Sequence, residues 1–141
     1  MTDFAFSNPV FFGNDDEKSC FYINLYNSAI LLKLANVSIL EPRKTFEIRD
    51  WQVLEKSSTI ILNGHLVTAF ELRNNLKKLN PYNPFVDFAL YIPNGISWQN
   101  LIFDSAEYFQ SRLPLEVKKS IIEVVKISEN KNLILLPKLF E

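Results

Sequence analysis

The stretch STIILNGHLVTAFELRNNLKKLNP, residues 58 to 81, constrains the fold more than any other part of the chain. It opens with a short β-rich run, STIIL. Asn63 and Gly64 follow, and a tight hairpin turn needs the positive φ that these two residues tolerate. Four residues on, Thr68 and Glu71 stand at the spacing of a capping box, in which each satisfies an amide of the other. Leu72, Leu76 and Leu79 then recur at four and three residues, one face of a helix. Lys77 and Lys78 suit the negative end of the helix dipole, and Pro81 stops the helix. The segment therefore reads as strand, turn, brief return and capped amphipathic helix. The capping box and the turn account for most of its polar residues, so it reads as scaffold rather than as catalytic apparatus.

The flanking regions are expected to supply the rest of a sheet. PVFFG (9–13) and CFYINLY (20–26) are rich in β-branched, aromatic and other apolar residues and read as strands, with NDDEKS (14–19) as a polar turn. AILLKLANVSIL (29–40) fits a long strand or a helix by periodicity alone, and its flanking turn signals, with Val37 and Ile39 alternating against Ser38, favour strand. TFEIRDW (45–51) alternates without a clean apolar face and reads as an edge strand. FVDFALYI (85–92), the turn PNG and ISWQNLIF (96–103) read as a hairpin. DSAE (104–107) is a second capping-box match, predicting a helix from near Ser105 to Leu113. Pro114 suits the first turn of another helix, 114–128, and LILL (133–136) reads as a final buried strand. Strands followed by helices predict an α+β fold: a mostly antiparallel sheet with two or three helices packed on one face.

The 141 residues fit one domain spanning 1–141, and 48% of them are hydrophobic, enough for one core. A net charge of −1 disfavours tight binding to nucleic-acid phosphate. The longest apolar run is broken by Lys33 and Asn36 and is too short to span a bilayer. The N-terminus carries Asp3 and lacks the basic start of a secretory signal, so a soluble cytoplasmic protein is expected. Frequent Asn, Lys and Ile fit an AT-rich bacterial genome. The single cysteine, Cys20, excludes an internal disulfide and a multi-cysteine metal site. With only 3 glycines, all isolated, no Gly-rich phosphate loop exists. His65, the one histidine, reads as a turn residue near the surface, and Cys20 as a buried strand residue. No metal and no cofactor are expected.

Candidate binding residues come from three places. Asp15, Asp16 and Glu17 form an acidic run, read as a solvated loop or as an acidic binding patch. Tyr82 and Asn83 lie in the Pro-bounded loop NPYNPF, where rigidity suits recognition; the alternative is a surface crossover whose Tyr packs on the sheet edge. Trp98 is a core residue or an exposed anchor on its strand. RNNLKK (73–78) puts three positive charges on one helix and reads as a solvated face.

IILNGHLVTAFELRNNLKKL (60–79) resembles the opening strand, Asn-Gly turn and capped helix of barstar-type ribonuclease inhibitors. The closing VKKSIIEVVKISENKNLILL is broadly similar to that family's last helix and strand. This chain departs from the family in having nearly sixty residues before the match, in replacing the acidic segment after the first helix with NPYNPFVDFALYI, and in lacking the strong negative charge. No inhibitory residue is carried over. The resemblance implies a small inhibitor or immunity protein. The resulting expectation is a non-enzymatic, protein-binding module that neutralises a toxin or nuclease by covering its active site. Two alternatives stand beside it: a chaperone or accessory subunit that dimerises or pairs through a sheet edge, and an enzyme built on converging carboxylates. The chain is expected to be a monomer or homodimer.

Overall fold

The computed structural model describes residues 5–6, 13–40, 48–90, 105–124, 126–128 and 133–135. Its centre is a long helix, α1 (Asp15–Leu40), where the sequence led us to expect two strands. Asn14 caps it: its Oδ1 accepts from the Glu17 amide at 2.9 Å, while the Glu17 carboxylate reaches back to the Gly13 amide. NDDE is thus a third helix start of the capping-box spacing, beside TAFE and DSAE, and Asp15, Asp16 and Glu17 are the first turn of a helix, at its positive end. They are not a loop. Strand composition misled because α1 is buried on several sides: Ser19, Cys20, Ile23, Leu25, Tyr26, Ala29 and Ile30 are all in the interior. A helix surrounded by protein shows no amphipathic period, so periodicity cannot separate it from a strand.

TFEIRDW is likewise corrected: from Ile48 it belongs to helix α2 (Ile48–Ser57). Trp51, Leu54, Glu55 and Ser58, spaced three, one and three residues apart, are the buried side, and Val53 faces out. Ser58 ends α2, its amide donating to the Leu54 carbonyl at 2.8 Å.

The segment that reads most clearly in the sequence folds as expected. Strands β2 (Thr59–Leu62) and β3 (His65–Thr68) pair antiparallel, Leu62 opposite His65. Asn63 and Gly64 turn between them with φ of 52° and 78°, as a two-residue hairpin requires. A short strand β1 (Ala5–Phe6) lies parallel to β2. Helix α3 (Ala69–Leu79) starts on the complete Thr68–Glu71 capping box and buries Ala69, Leu72 and Leu76 against α1.

After α3 the chain forms a 3-10 helix (Pro84–Ala89), not the strand expected over 85–92. Pro84 opens it under an Asn83 cap, and Val86, Ala89 and Leu90 are buried. The returning strand 96–103, with Trp98, lies outside the described residues, as does most of PVFFG. Helix α4 (Ala106–Val124) runs through Pro114 without a break, correcting the two helices expected there. Phe109, Leu113 and Val117 line its buried side at four-residue steps. It ends earlier than expected: strand β4 (Lys126–Ser128) pairs antiparallel with β5 (Leu133–Leu135), the anticipated last strand. The fold is α+β, with four α-helices among the described residues and more helix than the sequence led us to expect.

Candidate functional site

Two features stand out: a polar network buried within the core, and an arched segment that carries the most exposed aromatic among the described residues. The network starts at Glu55 on α2, whose side chain is 3% exposed. Arg73 on α3 donates from Nη1 to both Glu55 carboxylate oxygens, at 2.9 and 3.1 Å. Tyr26 on α1 donates its hydroxyl to Glu55 Oε1 at 2.9 Å. Asp87 of the 3-10 helix lies 4.0 Å from Arg73 Nε and 3.3 Å from Lys77 Nζ. The Arg73 and Lys77 charges, expected to form a solvated face, are therefore partnered.

Burial pushes the Tyr26 phenol well above its ordinary pKa, and the Glu55 carboxylate beside it pushes the same way. Burial works against the charge on Arg73, but Glu55, Tyr26 and Asp87 more than offset it and hold its pKa above the ordinary value. Glu55 and Asp87 do converge, yet they converge on a guanidinium. That arrangement fixes α1, α2, α3 and the 3-10 helix in one register. Tyr26, Glu55 and Arg73 had no signal in the sequence, because the partners stand 29 and 18 residues apart.

The arched segment runs from Asn80 to Leu90. Tyr82 at its tip is 96% exposed, which decides against packing on a sheet edge. Phe85, 38% exposed, is close by in sequence. Asn83 organises the arch: its Oδ1 accepts from the Phe85 amide at 3.0 Å, its carbonyl accepts from the Val86 amide at 3.4 Å, and its own amide donates to the Asn80 carbonyl at 3.2 Å. Asn83 is thus a capping residue that shapes the loop.

The acidic turn lies at the same end of the α1–α3 pair. Asn80 Nδ2 donates to Ser19 Oγ at 2.7 Å, and that hydroxyl donates to the Asp15 carbonyl at 2.7 Å. Only Pro81 separates Asn80 from Tyr82. The acids differ in what they do. Asp15 and Glu17 are exposed, Glu17 being held in the cap. Asp16 accepts from Gln110 Nε2 on α4. The structure therefore joins the acidic run to the Tyr82 loop by a short chain of hydrogen bonds.

His65 is exposed at the start of β3, and Cys20 is buried with its Sγ 3.5 Å from the Ser105 carbonyl. No group of three or more His, Cys, Asp or Glu side chains among the described residues could hold a metal ion. No helix among them is long and apolar enough to cross a membrane. No protein-family model matches the chain, and no curated protein or solved structure matches it.

Proposed function

We propose that this chain is a protein-binding module of the inhibitor or immunity class, acting in the cytoplasm, which neutralises a toxin or nuclease by covering its active site. The observation that carries this reading is Tyr82: an aromatic 96% exposed, on an arch whose backbone is held by its own hydrogen bonds. A large, stiff side chain on a fixed loop binds without first losing loop entropy, the condition for a strong anchor. The acidic turn beside it fits a partner with an electropositive cleft, which any enzyme that grips nucleic-acid phosphate must have. The resemblance of residues 60–79 to barstar-type inhibitors supports the same class.

The test places a photo-reactive amino acid at Tyr82 and, as a control, at Leu115, which is exposed on α4. Crosslinking in the native host is expected to yield a one-to-one adduct from position 82 and none from 115. The captured partner should lose its toxic or nucleolytic activity when the chain is added in equal amount. Tyr82→Ala should weaken that inhibition by about tenfold or more, as removal of an interface hot spot does. Equal crosslinking at both positions, or a partner whose activity is untouched, overturns the proposal.

A further inference from the structure

The arch from Asn80 to Leu90 is tied to α1 at two points. At its start, Asn80 Nδ2 donates to Ser19 Oγ at 2.7 Å. At its end, Asn27 Nδ2 donates to the Ala89 carbonyl at 3.0 Å. Ser19 and Asn27 are eight residues apart with Ile23 midway, so all three fall on one stripe of α1, over about 12 Å of helix. Ile23 between them is fully buried, and Val86, Ala89 and Leu90 of the arch are buried too. Burial has no direction, and the Asp87 ion pairs to Arg73 and Lys77 hold the middle of the segment. The hydrogen bonds at both ends fix where it begins and ends on α1.

We infer that Ser19 and Asn27 are positioning residues for the recognition surface: a two-point clasp on α1 that fixes the arch, and with it Tyr82, in one conformation before any partner arrives. Ser19 is fully buried, and its hydroxyl has both its roles filled, accepting from Asn80 and donating to the Asp15 carbonyl. The same hydroxyl therefore sets where the acidic turn stands relative to the tyrosine. The consequence for binding rests on the reading of Tyr82 as the anchor. The clasp itself is testable without a partner.

Three amides report on the arch directly: Asn83 to the Asn80 carbonyl, Val86 to Asn83, and Leu90 to Asp87. Two others report on the rest of the molecule: Ser58 to Leu54 and Ala69 to Ser58. Hydrogen exchange of all five is compared in the wild type, Ser19→Ala, Asn27→Ala and the conservative Ser19→Thr. In the two alanine variants the arch amides should exchange about tenfold faster or more, while Ser58 and Ala69 change by less than about threefold. Ser19→Thr, which keeps the hydroxyl, should restore the arch. If all five amides speed up together, Ser19 and Asn27 are ordinary stabilising residues and the inference is wrong; unchanged arch amides overturn it as well. Release of the partner identified by crosslinking, measured on the non-covalent complex, separates the two readings. If Tyr82→Ala speeds release and the clasp variants do not, the clasp does not position the surface. If the clasp variants loosen the arch and neither they nor Tyr82→Ala affects release, the clasp stands and the recognition role of Tyr82 falls.

Discussion

Single residues set two pH responses of opposite sign. The Glu71 carboxyl accepts from the Thr68 amide at 2.8 Å and from the Thr68 hydroxyl at 2.8 Å, and these bonds, the backbone one first, hold its pKa below the ordinary 4.5. A depressed carboxyl pKa stabilises the fold above the unfolded value, and that stabilisation fades as pH falls through the folded value. Wild type should therefore be more stable than Glu71→Gln at neutral pH, and the gap should close in acid below 4.5; urea midpoints across pH 3 to 7 measure it. Tyr26 behaves in the opposite way. Its pKa is raised above 10, chiefly by burial and then by Glu55, so its stabilisation is complete below 10 and lost as pH rises beyond it. Tyr26 should fail to ionise in an alkaline absorbance titration until the protein unfolds. The same network predicts an order among variants. Arg73→Met strands the Glu55 charge in the core and should cost about 3 kcal/mol, toward the low end for a buried pair because Arg73 is 32% exposed. Adding Glu55→Gln removes the stranded charge and keeps an acceptor for the Tyr26 hydroxyl. The double variant should therefore be more stable than Arg73→Met alone, as denaturant unfolding would read.

At the scale of elements, Pro114 is the clearest local conflict. It stands inside α4, where a proline gives no amide to the carbonyl four residues back and crowds it. Its side chain is exposed, so no packing depends on it. Pro114→Ala should stabilise the protein by about 1–3 kcal/mol, visible as a higher melting temperature. A lower melting temperature would show that α4 uses a bend there. Pro114 also shows how sequence can mislead about an element: a proline is a good helix start, so one helix read as two. The opposite error hid α1. Its apolar residues face neighbours on several sides, and composition took the place of period. The start signal was present, in Asn14 and Glu17, yet an acidic run reads as a loop when nothing periodic follows. By contrast, residues 58–81 read correctly because each of their determinants is local: two turn residues, a cap of three-residue reach, and leucines one turn apart. The candidate surface was half legible on the same logic. A tyrosine between prolines is a local signal. That Asn80 meets Ser19, 61 residues earlier, and so brings the acids to that tyrosine, is tertiary and leaves no mark in sequence.

For the molecule as a whole, the question is whether a chain of short strands and unequal helices unfolds as one unit. α1 supplies the shared surface: α3 packs along it, α4 and α2 also touch it, and the largest fully buried side chains include its Tyr26, Ile23 and Ile30. Because each neighbour loses its apolar face if α1 leaves, no helix can melt alone without exposing the core of the others. Such coupling produces two-state unfolding in domains of this size. Trp51 on α2, 9% exposed, reports on the core by fluorescence once Trp98 is replaced by Phe, while ellipticity at 222 nm reports mainly on helix. The two denaturant transitions should coincide. Ile23→Ala, which opens a cavity at the centre of α1, should lower stability by about 3 kcal/mol and shift both transitions by the same amount. If the ellipticity transition splits while the Trp51 transition stays sharp, α4 and the β4–β5 pair form a separate cooperative unit. The Gln110–Asp16 and Cys20–Ser105 contacts would then be too weak to couple them to α1.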